Sequence, residues 1–124
     1  MTFKIDAKEQ FTVITPQSRP LDAQLAAELA EQCQTLIQNG SRNFIVDVAL
    51  CQVVQSDFLE PFIELSAQRY EEGTSFVIAH PPAEMLQILK KEDAIDSLNY
   101  APTFIEAIDI VSMEILERDL YGEE

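Results

Sequence analysis

The chain has 124 residues, enough for one hydrophobic core and too few for two ordinary domains, so residues 1–124 are expected to fold as a single domain. With 22 acidic against 8 basic residues its formal charge is −14, a field that repels phosphate backbones and argues against nucleic acid as a ligand; it serves solubility, or a partner with a matched basic surface. No apolar run approaches the about 20 residues of a membrane-spanning helix, and the opening Met1-Thr2-Phe3-Lys4-Ile5-Asp6 has neither the basic start nor the apolar stretch of a secretory signal, so a cytoplasmic protein without membrane insertion is expected.

Two short alternating runs, around Phe3-Lys4-Ile5 and Phe11-Thr12-Val13-Ile14, are separated by Ala7-Lys8-Glu9-Gln10 and predict a hairpin. Residues 16–20 form a breaker-rich loop. Asp22 then begins a helix that carries Leu25, Leu29, Cys33, Leu36 and Ile37 inward and stops at Asn39-Gly40. Phe44-Ile45-Val46-Asp47-Val48 is rich in β-formers and short, as expected for a strand covered on both faces. A helix is predicted from about Asp57 to Glu72, with Leu59, Phe62, Ile63, Ser66 and Tyr70 at apolar helical spacing and Gly73 closing it. A second buried strand covers residues 75–79. Pro81 and Pro82 suit the first turn of a short helix carrying Met85, Leu86 and Leu89. Residues 97–101 offer a short final strand, and residues 103–120 an amphipathic helix with Phe104, Ile108, Val111 and Ile115 aligned.

This order predicts an α/β fold: a single mixed sheet of four to five strands, parallel except at its first strand, packed against about four helices. The last helix has a second stripe, Ile105, Ser112 and Leu116 with Met113 and Leu120 nearby. It reads either as a helix tip over the sheet edge or as a surface for another protein, including a second copy in a homodimer. The tail from residue 121 is expected to fray.

Few residues could carry chemistry. Two cysteines make no disulfide scaffold, and with one histidine, His80, there is no metal-ligand or cysteine–histidine spacing. Gly40, Gly73 and Gly122 form no phosphate-cradling loop, so neither metal nor cofactor is expected. Asp47, near the end of the third strand, invites comparison with a response-regulator phosphoacceptor. That chemistry needs an acidic pair after the first strand and a lysine near the last, and neither Ile14-Thr15 nor Tyr100-Ala101 supplies them. A structural hydrogen-bonding role is expected instead. A small enzyme would have to use His80 with Asp57 as acid and base in one pocket; a loop histidine held by its neighbours is the favoured reading.

The most informative segment is residues 43–62, NFIVDVALCQVVQSDFLEPF, a buried strand that steps through polar Gln55-Ser56-Asp57 into a helix. Its first backbone N–H groups should point out at the end of the sheet, ready for an anion or a partner. This segment resembles the STAS domain, the fold shared by anti-sigma-factor antagonists and the cytoplasmic tails of sulphate transporters, whose pattern is a strand "LDLS", a loop, then "DSSGLG" opening a helix. Val46-Asp47-Val48 falls on the strand, and Gln55-Ser56-Asp57-Phe58-Leu59-Glu60 on the signature, where the first serine and the leucine match. Pro20-Leu21-Asp22 resembles the family's "GxLD", and Phe76-Val77-Ile78-Ala79-His80-Pro81-Pro82 with the helix after it resembles "strand, NPS, helix".

The resemblance implies a regulatory module that binds another protein through Gln55, Ser56, Asp57, Phe58 and Glu60, with His80 from the neighbouring loop. In the antagonist branch the partner is an anti-sigma factor with a kinase fold; the alternative is a STAS subunit that regulates an ABC-type transporter ATPase. The second serine of the signature is the one such kinases modify, and here it is Asp57, so binding is expected not to be gated by serine phosphorylation. Asp57 reads as a fixed negative charge, as an N-cap completed by Glu60 in a capping box, or both. Ser56 is a minor candidate for modification. Phe58 and Glu60 stand where the pattern has glycines; Phe58 is either an exposed anchor or folded inward against Phe62.

Overall fold

The computed structural model describes residues 3–121, and the tail expected to fray lies beyond them except for Tyr121. The first two runs form the hairpin β1 (Phe3–Ala7) and β2 (Thr12–Pro16), antiparallel with Phe3 opposite Pro16 and Ile5 opposite Ile14. Its turn is closed by the Lys8 N–H donating to the Phe11 carbonyl at 2.8 Å. The remaining strands, β3 (Asn43–Asp47), β4 (Ser75–Ala79) and the two-residue β5 (Tyr100–Ala101), add in parallel, giving a sheet of order β1-β2-β3-β4-β5 among the described residues. β5 is shorter than the five residues the sequence suggests. Only its end reaches β4, where the Ile78 N–H donates to the Asn99 carbonyl and the His80 N–H to that of Ala101.

The helices are α1 (Ala23–Gln38), α2 (Leu59–Glu71), α3 (Ala83–Lys91) and α4 (Phe104–Tyr121). Asp22 caps α1 as expected, its Oδ1 accepting from the Leu25 N–H at 2.9 Å. Gly40 beyond it takes the left-handed φ of 103° that a helix stop favours. Thr103 caps α4: its hydroxyl accepts from the Glu106 N–H and donates to the Glu106 carboxylate, both at 3.1 Å. The two prolines do not enter the first turn of α3. Pro82, at φ −63° and ψ 152°, is the cap residue itself, because Pro81 and Pro82 extend the chain out of the strand before the helix begins at Ala83.

Alternating strand residues separate two cores. On one face Ile14, Phe44, Val46, Phe76 and Ile78 meet α1, α2 and α3; on the other Ile45, Val77 and Ala79 meet Ala107 and Val111 of α4. The phase of α2 differs from the sequence reading at its end. Phe58, Phe62, Leu65 and Arg69 face inward, while Tyr70 is 73% exposed. Positions 58, 62, 65 and 69 follow the 3.6-residue period, which leaves Tyr70 about 100° off the stripe. The Arg69 guanidinium is tied to Glu72, 2.9 Å away.

A polar cluster fastens α4 to the N-terminal ends of the parallel strands. Arg118 donates to Asn43 Oδ1 at 2.6 Å and to the Ser75 hydroxyl at 3.1 Å. Ser75 and Asn99 in turn donate to the Glu114 carboxylate at 2.6 and 2.7 Å, and the Asn43 amide donates to the Gln10 carbonyl at 3.0 Å.

Candidate functional site

The sequence singled out the C-terminal end of the parallel strands, which is where open α/β sheets place ligands and partners. Two segments distant in the chain meet there. Leu21 and Val54 form an isolated parallel bridge, with the Leu21 N–H donating to the Val53 carbonyl at 2.8 Å and the Gln55 N–H to the Leu21 carbonyl at 3.0 Å. The residues that resemble "GxLD" thus lie beside those that resemble the serine signature.

Residues 56–58 form a single 3-10 turn before α2, with the Phe58 N–H donating to the Gln55 carbonyl at 3.0 Å and the Leu59 N–H to that of Ser56. This turn corrects the expected capping box. With Asp57 in its middle, the residue before α2 is Phe58, which makes no side-chain cap bond. Asp57 reaches instead to another helix: its Oδ1 accepts from the Ala23 N–H, the first residue of α1, at 3.3 Å. The carboxylates of Asp22 and Asp57 thus both serve the N-terminal turn of α1, where unpaired N–H groups and the helix dipole favour negative charge.

Gln55, Ser56, Asp57 and Glu60 are exposed. Phe58 is not: it is fully buried, its ring edge-on to Phe62 at 5.8 Å. Of the two placements open to it the inward one is occupied, since an aromatic ring between α2 and the sheet removes more apolar surface from water than one left on the rim. Phe58 is therefore withdrawn as a partner contact.

The apolar groups that do face solvent here are Leu50 at 46% and Val53 at 58% exposure. The sequence reading did not single them out, since they lie between the strand and the polar Gln55-Ser56-Asp57. The burial has a period of three: Val48, Cys51 and Val54 point in and the residues between them point out. With Ser18, Arg19, Pro20 and Gln52, these two line a shallow cleft of about 340 Å³. Arg19 on its wall is ion-paired to Glu28, whose carboxyl is held below its ordinary value chiefly by that hydrogen bond.

His80 follows β4 with a left-handed φ of 58°. Its Nδ1 donates to Asp47 Oδ1 at 3.0 Å, and the same oxygen accepts from the Ala49 N–H at 3.0 Å. Asp47 has the structural role expected of it, holding the loop after β3 and orienting His80. The acid–base pairing of His80 with Asp57 is not formed, because the two carboxylates have separate tasks: Asp47 takes the imidazole and Asp57 the end of α1. The thiols of Cys33 and Cys51 are buried, and loss of solvation pushes them up to about 12 and about 11, the reverse of what a nucleophile needs.

No protein-family model matches the sequence, and no curated protein matches it. Solved structures do. The TM1081 protein of Thermotoga maritima superposes with a TM-score of 0.73 at 14% identity, over 89% of this chain and 94% of its own. An RsbS variant of Moorella thermoacetica carrying a serine-to-glutamate substitution gives 0.68 at 19% identity, over 94% and 97%. The anti-sigma factor antagonist SpoIIAA in its unphosphorylated form gives 0.65 at 15% identity, over 90% and 97%. With one mixed sheet, α1 to α3 on one face and α4 on the other, the chain has the STAS fold, that of the anti-sigma-factor antagonists.

Proposed function

We propose that this chain is a regulatory protein-binding module that acts as an anti-sigma-factor antagonist does, and that its binding is not gated by serine phosphorylation. The observation that carries the reading is the exposed segment 55–57 with Glu60 at the C-terminal end of the sheet, in a fold whose neighbours include an anti-sigma factor antagonist. Leu50 and Val53 supply the exposed apolar groups such a surface needs, and Gln55, Ser56, Asp57, Glu60 and the half-buried His80 supply polar ones. One neighbour was solved in its unphosphorylated form and another with glutamate in place of a serine. Here Asp57 brings a charge to the signature without a kinase, and that charge is already engaged with the α1 terminus. Ser56 is the remaining hydroxyl, exposed at the start of the turn.

Affinity purification from native lysate tests the proposal, with wild type beside Val53→Glu and Asp57→Ser and mass spectrometry of what is retained. Recovery of a kinase-fold anti-sigma factor that Val53→Glu loses is the expected result. Recovery of an ABC-type ATPase would move the chain to the transporter-regulating branch. A phosphate on Ser56 in the intact mass of the native protein would overturn the ungated reading.

A further inference from the structure

Among the described residues, the face of α4 turned away from the sheet is unlike any other exposed helix face. Ile105, Met113, Leu116 and Leu120 are 71, 62, 59 and 64% exposed. At 3.6 residues per turn they fall within one quadrant, opposite Ala107 and Val111, which bury against the sheet. From Ile105 to Leu120 the stripe runs for about 22 Å. Acids surround it: Asp109 lies within it, Glu106 and Glu117 along one side and Asp119 along the other, all exposed. The one basic residue of the helix, Arg118, is turned the other way and bonded to Asn43 and Ser75.

These charges select the occupant. A second copy would set the acids of one stripe against those of the other, between chains of charge −14 each. An anionic lipid surface would meet the same repulsion. A helix with an apolar face flanked by lysine or arginine meets neither: its apolar residues would pack on Met113, Leu116 and Leu120, and its cations would face Glu117 and Asp119 on the two sides of the stripe and Asp109 where that acid interrupts it. We infer that α4 is the docking site for a cationic amphipathic helix of about four turns belonging to another protein. This surface lies on the opposite side of the sheet from α1, α2 and α3 and is independent of the function proposed above. With both surfaces in use, the chain would join two partners.

The test uses a synthetic peptide of four helical turns with leucines at helical spacing flanked by lysines, and a counterpart flanked by glutamates, titrated by fluorescence anisotropy. The wild-type protein is expected to bind the lysine peptide and not the glutamate one, and more weakly as salt rises. Met113→Gln/Leu116→Gln keeps the charge of the chain and should weaken binding at least tenfold. Asp109→Asn/Glu117→Gln should weaken it severalfold and flatten its salt dependence, while Val53→Glu at the other surface should leave it unchanged. Thermal melts of each variant matching wild type confirm that the fold is retained. Equal affinity of the glutamine variant and wild type would overturn the inference, since the peptide would then be reading overall charge alone. So would a sedimentation dimer that Met113→Gln/Leu116→Gln dissociates, which would make a second copy the occupant.

Discussion

The two ends of the parallel strands carry the same kinds of side chain and use them in opposite ways. At the N-terminal end Asn43 and Ser75 are buried, and with Asn99, Glu114 and Arg118 they form a closed set in which the polar groups of two strands, a loop and a helix bond one another. At the C-terminal end Gln55, Ser56, Asp57 and Glu60 stay in solvent, and the bonds formed there, Asp57 to the Ala23 N–H and Asp47 to His80, shape the surface without covering it. Buried polar groups must be satisfied within the fold or destabilise it; exposed ones are satisfied by water and can exchange it for a partner. One end holds the molecule together and the other is left available.

The sharpest test of that division is at the C-terminal end itself, where Phe58 and Val53 are five residues apart and differ in burial, 0% against 58%. Phe58→Ala should cost about 3–5 kcal/mol of unfolding free energy in urea, the usual range for a buried phenylalanine, and Phe58→Glu should abolish folding. Val53→Glu should change the unfolding free energy by no more than about 0.5 kcal/mol. If Phe58→Glu and Val53→Glu behaved alike, the placement of Phe58 in the core would be wrong.

At the N-terminal end, Arg118→Ala leaves Asn43 Oδ1 without its guanidinium partner and removes one bond from Ser75. The expected loss is about 2–3 kcal/mol, because buried acceptors of a charged donor go unpaired. Partner binding at the opposite end, measured on the fraction that remains folded, should not change. Coupling of this variant to the Val53 surface would break the separation of the two ends.

The difference between the ends also decides what the sequence could show. The strands and the stripes of α1 and α4 follow from periodicity, since apolar residues at fixed spacing have one way to be buried. The candidate surface was legible as a segment, because Gln55-Ser56-Asp57 interrupts an apolar run where a strand gives way to a helix. Its details were not. Whether Phe58 turns in and Tyr70 out depends on the 3-10 turn at residues 56–58, which shifts the phase of α2, and nothing local in the sequence requires that turn. The partnership of Asp57 with α1 needs the Leu21–Val54 bridge, a contact between segments more than 30 residues apart. The cluster around Arg118 joins residues from 43 to 118, which single-sequence patterns do not pair.

A milder perturbation reaches the core shared by the two ends. Cys33 and Cys51 are buried as neutral thiols, raised by desolvation from about 9 to about 12 and about 11. A group whose folded pKa lies above its unfolded value contributes stability below the unfolded value and loses it as pH rises toward the folded one. Stability should therefore be flat across neutral pH and fall above pH 9, by up to about 1.4 kcal/mol per pH unit for each cysteine. Urea midpoints at pH 8 and pH 10 measure this. Cys33→Ala should lower stability at pH 8 yet flatten the alkaline decline, and an unchanged slope in that variant would assign the decline to other groups. A thiol reagent at pH 8 should label neither cysteine until urea unfolds the chain.

A small effect on stability is expected at Asp57, where function is expected to be sensitive to charge. Its bond to the Ala23 N–H is long, at 3.3 Å, and exposed, and Asp22 caps α1 in any case. Asp57→Ala should cost about 0.5–1 kcal/mol at most. Asp57→Asn keeps an acceptor for that N–H and removes the charge, so it should cost only a few tenths of a kcal/mol. If the charge at this position is what a partner reads, Asp57→Asn will weaken binding well beyond its effect on the urea midpoint, and Asp57→Glu, which keeps the charge on a longer side chain, will retain more of it than Asp57→Asn. If binding instead follows stability through the whole series, Asp57 belongs with the polar groups of the opposite end, as a residue that holds α1 in place, and the surface must be read from Leu50, Val53 and Gln55.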